Sequence, residues 1–388
     1  MSQRQFRSDD SSKWTDLYGH GSDGALTISA DTTDSPINAS CTGTAAATSL
    51  SATNASFAAG QLILIHQTQG SGSGNWELNK ISSYSAGTIT LAYPLINSYN
   101  SGAQVQVMNQ YSAVNINSGK TLSASAWNGS VGGILAFFAK TSVDGPGTLS
   151  VAGKGFRGGF GQSAGGQPGG FGSQGESDTG TGSQNINANG TAGGGGQSYL
   201  PSDGSDATGG GGGYATSGGN GQGVNGNNNW GRAGGTKGQA DLVLAYFGGA
   251  GGGGGAGGGE SAGGGGPSGG FLLIITPKFG QTSVPVLNLN GVVGDSVQYS
   301  PGGGGAAGSG LIKGQMVSLG SNVSTASGGS GGHGSGTGAD GGSGGNGRIH
   351  VDYSTSISGT TTPTLDSRPD TSLNPPAGGG FMQHFINN

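Results

Sequence analysis

Short stretches of alternating apolar and polar residues mark the first part of the chain. Residues 61–68 (QLILIHQT) form a dense apolar run, and 75–84 places Trp76, Leu78 and, after a shift, Ile81 on one side. Residues 88–93 (TITLAY) and 104–108 (QVQVM) keep a period of two, the spacing of one face of a β-strand. Gly/Ser/Asn clusters at 70–75, 86–87 and 97–102 separate these runs, and Pro94 ends one of them, as turn residues do between strands. The pattern predicts a small β-domain over 24–112 whose core uses Leu62, Leu64, Trp76, Ile81, Leu91, Val105 and Val107. A short helix is expected at 9–18, where Asp or Ser can cap its start. A helix of that length depends on packing for its stability.

Residues 113–152 carry shorter apolar pieces, at 113–116, 121–122, 134–138 and 148–151, separated by Gly or Asn turns. Rungs this short with tight polar corners predict a β-helix-like stack, in which each rung buries its face only against the next. A plain meander is the alternative reading.

Near residue 152 the pattern changes. Of 92 glycines in 388 residues, 16 fall in 1–150, 72 in 151–350 and 4 in the last 38. Glycine loses more backbone freedom on folding than any other residue, and such a composition without a strict period commonly means disorder. Apolar runs argue otherwise: 241–247 (DLVLAYF), 271–276 (FLLIIT), 284–289 (VPVLNL) and 348–353 (RIHVDY) punctuate the glycines. A solvated linker has no use for them. Chains without Cβ atoms can order as left-handed extended strands with three residues per turn and no internal hydrogen bonds. Such strands can pack closely and bond to several neighbours at once. The runs at 209–213, 248–259, 263–270 and 302–305 suit the interior of such a bundle.

The expected fold class is therefore mostly β and irregular. It comprises an N-terminal arm (1–23), a β-domain acting as a mount (24–112) and a short β-helix-like neck (113–152). A glycine-rich polyglycine-II-like bundle with a few β-strands (153–353) and a C-terminal tail (354–388) follow.

The blocks GGFGQSAGGQPGGFG (158–172) and GGAGGGGGAGGGESAGGGGPSGG (248–270), separated by short variable loops, carry a family resemblance. They resemble the polyglycine-II bundle of receptor-binding adhesins at the tips of T-even-like phage long tail fibres. Glycine-rich surface proteins of bacteria are also similar. The stretch GGILAFFAKTSVDGPGTLSVAGKGFRGG (132–159) resembles a β-rung entry into such a bundle. The likeness spans about 113–353 and is carried by composition. It implies attachment to a fibre through an N-terminal domain and contact with the host surface through loops between the blocks. Two departures stand out: the β-domain at 24–112 does not match the attachment domain, and the inserts at 271–300 and 311–327 are strand-like. Both leave the attachment partner open.

Composition narrows the chemistry. With 14 basic against 19 acidic residues and 9% charged, the chain has no basic stripe, which argues against nucleic-acid binding. No apolar run approaches the ~20 residues of a membrane span. Cys41, alone, cannot form an internal disulfide and reads as a small half-buried strand residue. The polar stretch 1–10 lacks the apolar core of a secretory signal. The Gly/Ser/Thr/Asn-rich, Lys-poor texture nevertheless suits an extracellular surface. A virion protein released by lysis reconciles the two, as does a signal already removed.

Residues 153–158 spell GxGxxG, but no helix pattern follows, and a dinucleotide site needs one. Gly119, Lys120 and Thr121 lack the first glycine of a phosphate loop, where Val114 stands, and 341–346 has Asn346 where a calcium-binding nonapeptide needs Asp. The five histidines are scattered, and strand histidines such as His66 and His350 read as structural. No catalytic, cofactor-binding or metal-ligating residue is expected.

The remaining signal lies in aromatics placed between glycine runs: Tyr199, Tyr214 and Trp230. An aromatic on a rigid loop offers binding area at low entropy cost. It can equally cap the end of a bundle. The sequence therefore reads as a non-enzymatic, extracellular structural and binding protein without a cofactor. The expected role is a phage receptor-binding fibre-tip protein, with Tyr199, Tyr214 and Trp230 as receptor-binding loop residues. The expected partner is a bacterial surface receptor, protein or glycan, with a fibre held by the N-terminal domain. The alternative is a subunit of a bacterial surface filament or matrix whose partner is a copy of itself.

Overall fold

The computed structural model describes residues 17–163, 169–198, 206–336 and 338–374; positions 9–16 of the expected helix lie outside them. Two short strands come first, β1 (Ala25–Ile28) and β2 (Thr32–Asp34). The chain then enters β3 (Asn38–Gly43), β4 (Ser49–Ala52), β5 (Leu62–Gln67), β6 (Trp76–Ser85), β7 (Thr88–Leu91) and β8 (Tyr99–Val107). These six pair antiparallel into a closed barrel, in the order β3-β4-β7-β6-β5-β8, and closure leaves no free edge. Leu50, Ile63, Ile65, Ile81, Ile89, Leu91, Val105 and Cys41 fill its interior, and burial pushes the Cys41 thiol far above its ordinary range.

Of the core expected for the β-domain, Ile81, Leu91 and Val105 lie inside this barrel, with Val107 partly buried against them. Leu62, Leu64 and Trp76 instead point outward into a second apolar cluster. Strand β5 is buried along its whole length, so its hydrophobic pattern does not distinguish the inner face from the outer one.

After the barrel come β9 (Asn109–Tyr111), β10 (Ala113–Ile116), β11 (Thr121–Ala124), β12 (Ile134–Ala139), β13 (Val143–Asp144) and β14 (Thr148–Ser150). They are followed by β15 (Gln162–Ser163), β16 (Gly255–Ala256), β17 (Phe271–Ile275), β18 (Lys278–Phe279) and β19 (Val286–Asn288). The last three are the long β20 (Ser309–Thr325) and β21 (Arg348–Thr362), and β22 (Asp366–Pro369). Apart from the barrel and the β15–β16 pair, all strands join one parallel 14-stranded sheet.

That sheet winds as a β-helix-like solenoid with three columns. The first column is β9, β12, β17, the start of β20, the start of β21 and β22. The second is β1, β10, β13, β18 and the middles of β20 and β21. The third is β2, β11, β14, β19 and the ends of β20 and β21. Like side chains stack inside: Phe137, Ile274, Ile312 and Val351 in the first column, Val114, Val143, Phe279 and Val317 in the second, Leu122, Leu149 and Leu287 in the third. All are buried, and each such side chain contributes about 1.5–3 kcal/mol on leaving water.

Between the third column and the next turn of the first, the chain repeatedly makes an excursion. These excursions are 35–108, which holds the barrel, then 125–133, 151–270, 289–308 and 326–347. The last three are the glycine-rich segments. Outside short strands they are held by backbone hydrogen bonds between runs. Gly210 N–H bonds Gly194 C=O, Gly252 bonds Gly210, Gly303 bonds Gly252, Gly304 bonds Gly342, Gly342 bonds Gly209 and Gly345 bonds Gly212, at 2.8–2.9 Å.

This arrangement corrects the expected fold class. The β-helix-like part is not a short neck followed by a separate polyglycine-II-like bundle. Four runs assigned to that bundle or bordering its end, 271–275, 286–288, 309–325 and 348–362, are rungs of the same parallel sheet as 113–150. The glycine-rich lobe consists of insertions between those rungs. Residues 354–362 and 366–369 of the expected tail also lie in strands. Single-sequence reading failed here because the partner of each rung lies many residues away, behind an insertion.

The close approach of the glycine runs gives a test. A Cβ on Gly252 would stand 2.0 Å from the Gly194 carbonyl oxygen, whereas one on Gly235 meets nothing nearer than 3.5 Å. Gly252→Val is expected to destabilise the protein by at least the ~1–3 kcal/mol typical of overpacking, and Gly235→Ala by far less. Chemical denaturation of both variants against the parent chain checks this.

Candidate functional site

On the outside of the glycine-rich lobe, residues 181–190 (TGSQNINANG) lie across three inner runs. Gln174 N–H bonds Ser183 C=O at 2.8 Å, Gly195 bonds Asn185 at 2.7 Å and Arg232 bonds Ile186 at 2.7 Å. Gln197 N–H bonds Asn229 C=O at 2.9 Å, which brings the 227–232 segment alongside. The resulting face is dense in amides and hydroxyls. Ser183, Gln184, Asn187, Asn220 and Gln222 are exposed, and Gln174, Asn185 and Asn189 are half-buried.

Backbone and side-chain bonds fix several of these amides. The Gln174 carbonyl Oε1 accepts from Ser183 N at 3.0 Å and Ser183 Oγ at 3.1 Å, while its Nε2 donates to Asn187 C=O at 2.8 Å. Asn220 Oδ1 accepts from Ala233 N at 2.8 Å. Asn227 donates to Gln197 C=O at 2.8 Å and accepts from Asn229 N at 2.8 Å.

Trp230 sits half-buried on this face. Its ring edge lies against Gly223, where a Cβ would come within 3.2 Å of Cε3. The Arg232 guanidinium carbon lies 5.0 Å from its ring centroid, a geometry worth about 0.5–1 kcal/mol at exposed sites. An aromatic surface, a planar cation and oriented amides thus share one surface.

Of the other two aromatics expected to bind, Tyr199 lies outside the described residues. Tyr214 is fully buried, 6.3 Å from the Tyr246 ring with the Arg348 guanidinium 5.4 Å from its centroid. Burial, partly offset by the Arg348 charge, pushes its phenol up to about 12. No surface of Tyr214 is open to a ligand. Gln174 and Asn187 carry no local signal in the sequence, because amides are common in a Ser/Asn/Gly-rich chain, and a lone Arg232 shows its place over Trp230 only in the fold.

The lobe is held against the barrel and solenoid by a polar junction around His66. His66 is 1% exposed and stacked between Phe247 and Phe271, each centroid 5.8 Å away. Its Nε2 faces the Ala245 carbonyl at 2.9 Å, which can only accept, so Nε2 carries the proton and Nδ1 accepts from Thr68 Oγ1 at 2.9 Å. Burial lowers the imidazole to about 4, and the ring is neutral in the folded protein. Arg157 pairs with Glu176 at 2.9 Å, Gln69 reaches Glu176 at 3.0 Å, and Lys237 pairs with Asp178, which also accepts from Ser73 at 3.0 Å.

At the far end of the first column, the outer face changes from apolar to charged. Asp352 is paired with Lys313, with Arg368 at 2.8 Å and with His350 Nε2 at 3.2 Å; His350 Nδ1 meets Asp366 at 2.7 Å. Burial opposes ionisation of Asp352, but the hydrogen bond from His350 and the Lys313 charge outweigh it and hold the carboxyl far below its ordinary value. Among the described residues, no cluster of three or more His, Cys, Asp or Glu is placed to hold a metal ion. None of their helices is long and apolar enough to cross a membrane.

These two sites give the chain an acid limit. For His66 the unfolded state takes up a proton near 6.5 and the folded state only near 4, so its contribution is complete above pH 6.5 and lost as pH falls toward 4. That window is worth on the order of 3 kcal/mol. Asp352 has a depressed folded value, so its contribution is present above about pH 4 and lost below it. Burial raises the Asp34 carboxyl to about 6, which adds stability as pH falls over the same range, so each contribution is read as a difference between chains. In denaturation midpoints followed from pH 7 to pH 3, His66→Gln should remove a loss of stability between pH 6.5 and 4, and Asp352→Asn one below pH 4. A His66→Gln profile parallel to the parent's across pH 4–7 would contradict the His66 assignment.

No family model and no curated protein matches the chain. Among solved structures it is similar to the Gp54 tailspike of Acinetobacter baumannii bacteriophage AP22, in complex with A. baumannii capsular saccharide, at 8% identity and a TM-score of 0.20. The match covers 89% of this chain and 61% of the tailspike chain, so this chain spans about three fifths of the tailspike's length. A superposition this loose does not bear on what the chain binds.

Proposed function

We propose that the protein is an extracellular receptor-binding protein, similar in role to adhesins at phage tail-fibre tips, with its glycine-rich lobe as the tip and its barrel as the mount. The observation that supports this is the face around Trp230, where the Arg232 guanidinium lies 5.0 Å from the indole centroid and the Gln174 amide is held to the Asn187 C=O of the adjoining outer segment. Sugars offer hydroxyls that pair with amides in either direction, and C–H faces that pack on aromatic rings. Groups already held by hydrogen bonds lose little freedom on binding. A bacterial surface glycan is the partner this chemistry suits best. No residue is assigned a catalytic role in this reading.

The test uses Trp230→Ala, Arg232→Ala and Tyr214→Ala, each measured for binding to bacterial cells and surface glycans and for thermal melting. Removing a central aromatic anchor commonly costs about 2 kcal/mol, on the order of thirtyfold in affinity. Trp230→Ala should show that loss with melting intact, and Arg232→Ala a smaller one. Tyr214→Ala should lower melting, since truncating a buried aromatic costs ~3–5 kcal/mol. Unchanged binding in the first two variants would move the site off this face. Growth of the purified protein into end-to-end filaments under the electron microscope would favour a filament subunit instead.

A further inference from the structure

Within the same lobe, away from the Trp230 contacts, two acids meet without a counterion. Asp206 is fully buried. Its Oδ1 accepts from Gly257 N at 3.0 Å. Its Oδ2 is shielded from solvent and has no hydrogen-bond partner. Glu260 closes a tight turn, donating its N–H to Gly257 C=O at 2.8 Å. Gly258 and Gly259 hold that turn at φ of 59° and 83°. The Glu260 carboxyl lies within hydrogen-bonding reach of Asp206, and its Oε2 is likewise shielded and without a partner. Among the described residues, no ion pair includes either acid.

Two carboxylates brought together with one of them fully buried repel each other, and beyond the Gly257 N–H on Asp206 Oδ1 the described residues place no donor on Asp206 Oδ2 or Glu260 Oε2. We propose that Asp206 and Glu260 bind a divalent cation of the hard, oxygen-seeking class, calcium, between Asp206 Oδ2 and Glu260 Oε2. All the free donors are oxygens, with no imidazole or thiolate among them, which favours calcium over zinc or copper. The location gives the ion a structural task. Ala207, next to Asp206, and Gly255, two residues before Gly257, exchange backbone bonds of 3.2 and 2.9 Å. An ion held here staples the run through 206–213 to the run through 248–257. With only two carboxylates, its affinity belongs to the weaker, extracellular range of calcium sites, about 10⁻⁴–10⁻³ M. Without an ion, the hydrogen bond to Asp206, burial and the Asp206 charge push the Glu260 carboxyl up to about 7. Protons therefore compete with the cation near neutrality.

The experiment takes the full chain, stripped with EDTA, and titrates it with calcium chloride by calorimetry, with melting followed in parallel. Glu260→Gln keeps the shape of a half-buried turn residue, and Asp206→Asn keeps the acceptor for Gly257 N–H. The parent chain should bind one calcium per chain, gain about 2 °C in melting temperature at calcium ten times its Kd, and bind more weakly below pH 7. Both variants should lose the heat and the shift. Binding undiminished in both variants would overturn the proposal. So would a parent chain whose melting ignores calcium, magnesium and manganese. A shared proton in place of a cation would also overturn it. Its signature is stability lost as pH rises from 5 to 8 in the parent but not in Glu260→Gln, with calcium without effect.

Discussion

Stacking of the solenoid rungs in register decides where every other part of the chain can go. The ladders Val114–Val143–Phe279–Val317 and Leu122–Leu149–Leu287 bury only if each turn returns directly above the last. Parallel pairing also requires each rung to be closed by a connection that comes back to the same side. In this chain the long connections all use one corner, between the third column and the first. The three glycine-rich insertions therefore leave and re-enter as neighbours, which limits the entropy of closing such long loops.

Side by side, those insertions face a problem that an ordinary domain solves with side chains. A buried peptide group without a partner costs about 1–3 kcal/mol. Here the partners are other peptide groups from runs on several sides, as at Gly209–Gly213 and Gly302–Gly305. Such approaches leave Cβ positions about 2 Å from carbonyl oxygens, as at Gly209, Gly212 and Gly303. Glycine is thus required by packing, and the density of glycine is a consequence of burying backbone rather than of flexibility. The same packing gives the outer layer at 181–190 a firm support, so that its amides point in fixed directions.

The barrel, solenoid and lobe meet over one apolar surface, the outer face of the first column. Ile134, Ala136, Phe138, Phe271, Leu273 and Ile275 lie there with Leu62, Leu64 and Trp76 of the barrel, Trp127 of the 125–133 connection, and Phe156 and Phe247 of the lobe. His66, Gln104 and Glu176 make hydrogen bonds across this contact. Gln104, for instance, donates to Thr68 Oγ1 and to Gly132 C=O and accepts from Gly132 N. Further along the same column the outward positions become Lys313, His350 and Asp352, a buried charged network in place of an apolar contact.

Local patterning was legible in the sequence. The strands at 61–68, 88–93, 104–108, 113–116, 134–138 and 271–276 stand where alternation or continuous apolar runs put them, because those spacings follow from the pleat of a single strand. The short rungs of 113–152 were also readable as a β-helix-like stack. Which rung lies against which was not, since Ser150 finds Asn288 and Ile274 finds Ile312 across insertions that local pattern cannot bridge. Nor could the sequence say that both faces of β5 and β12 are covered, or that Tyr214 is interior while Trp230 reaches the surface. A side chain's fate there depends on which distant backbone passes over it, and only the closed tertiary structure brings that backbone into place.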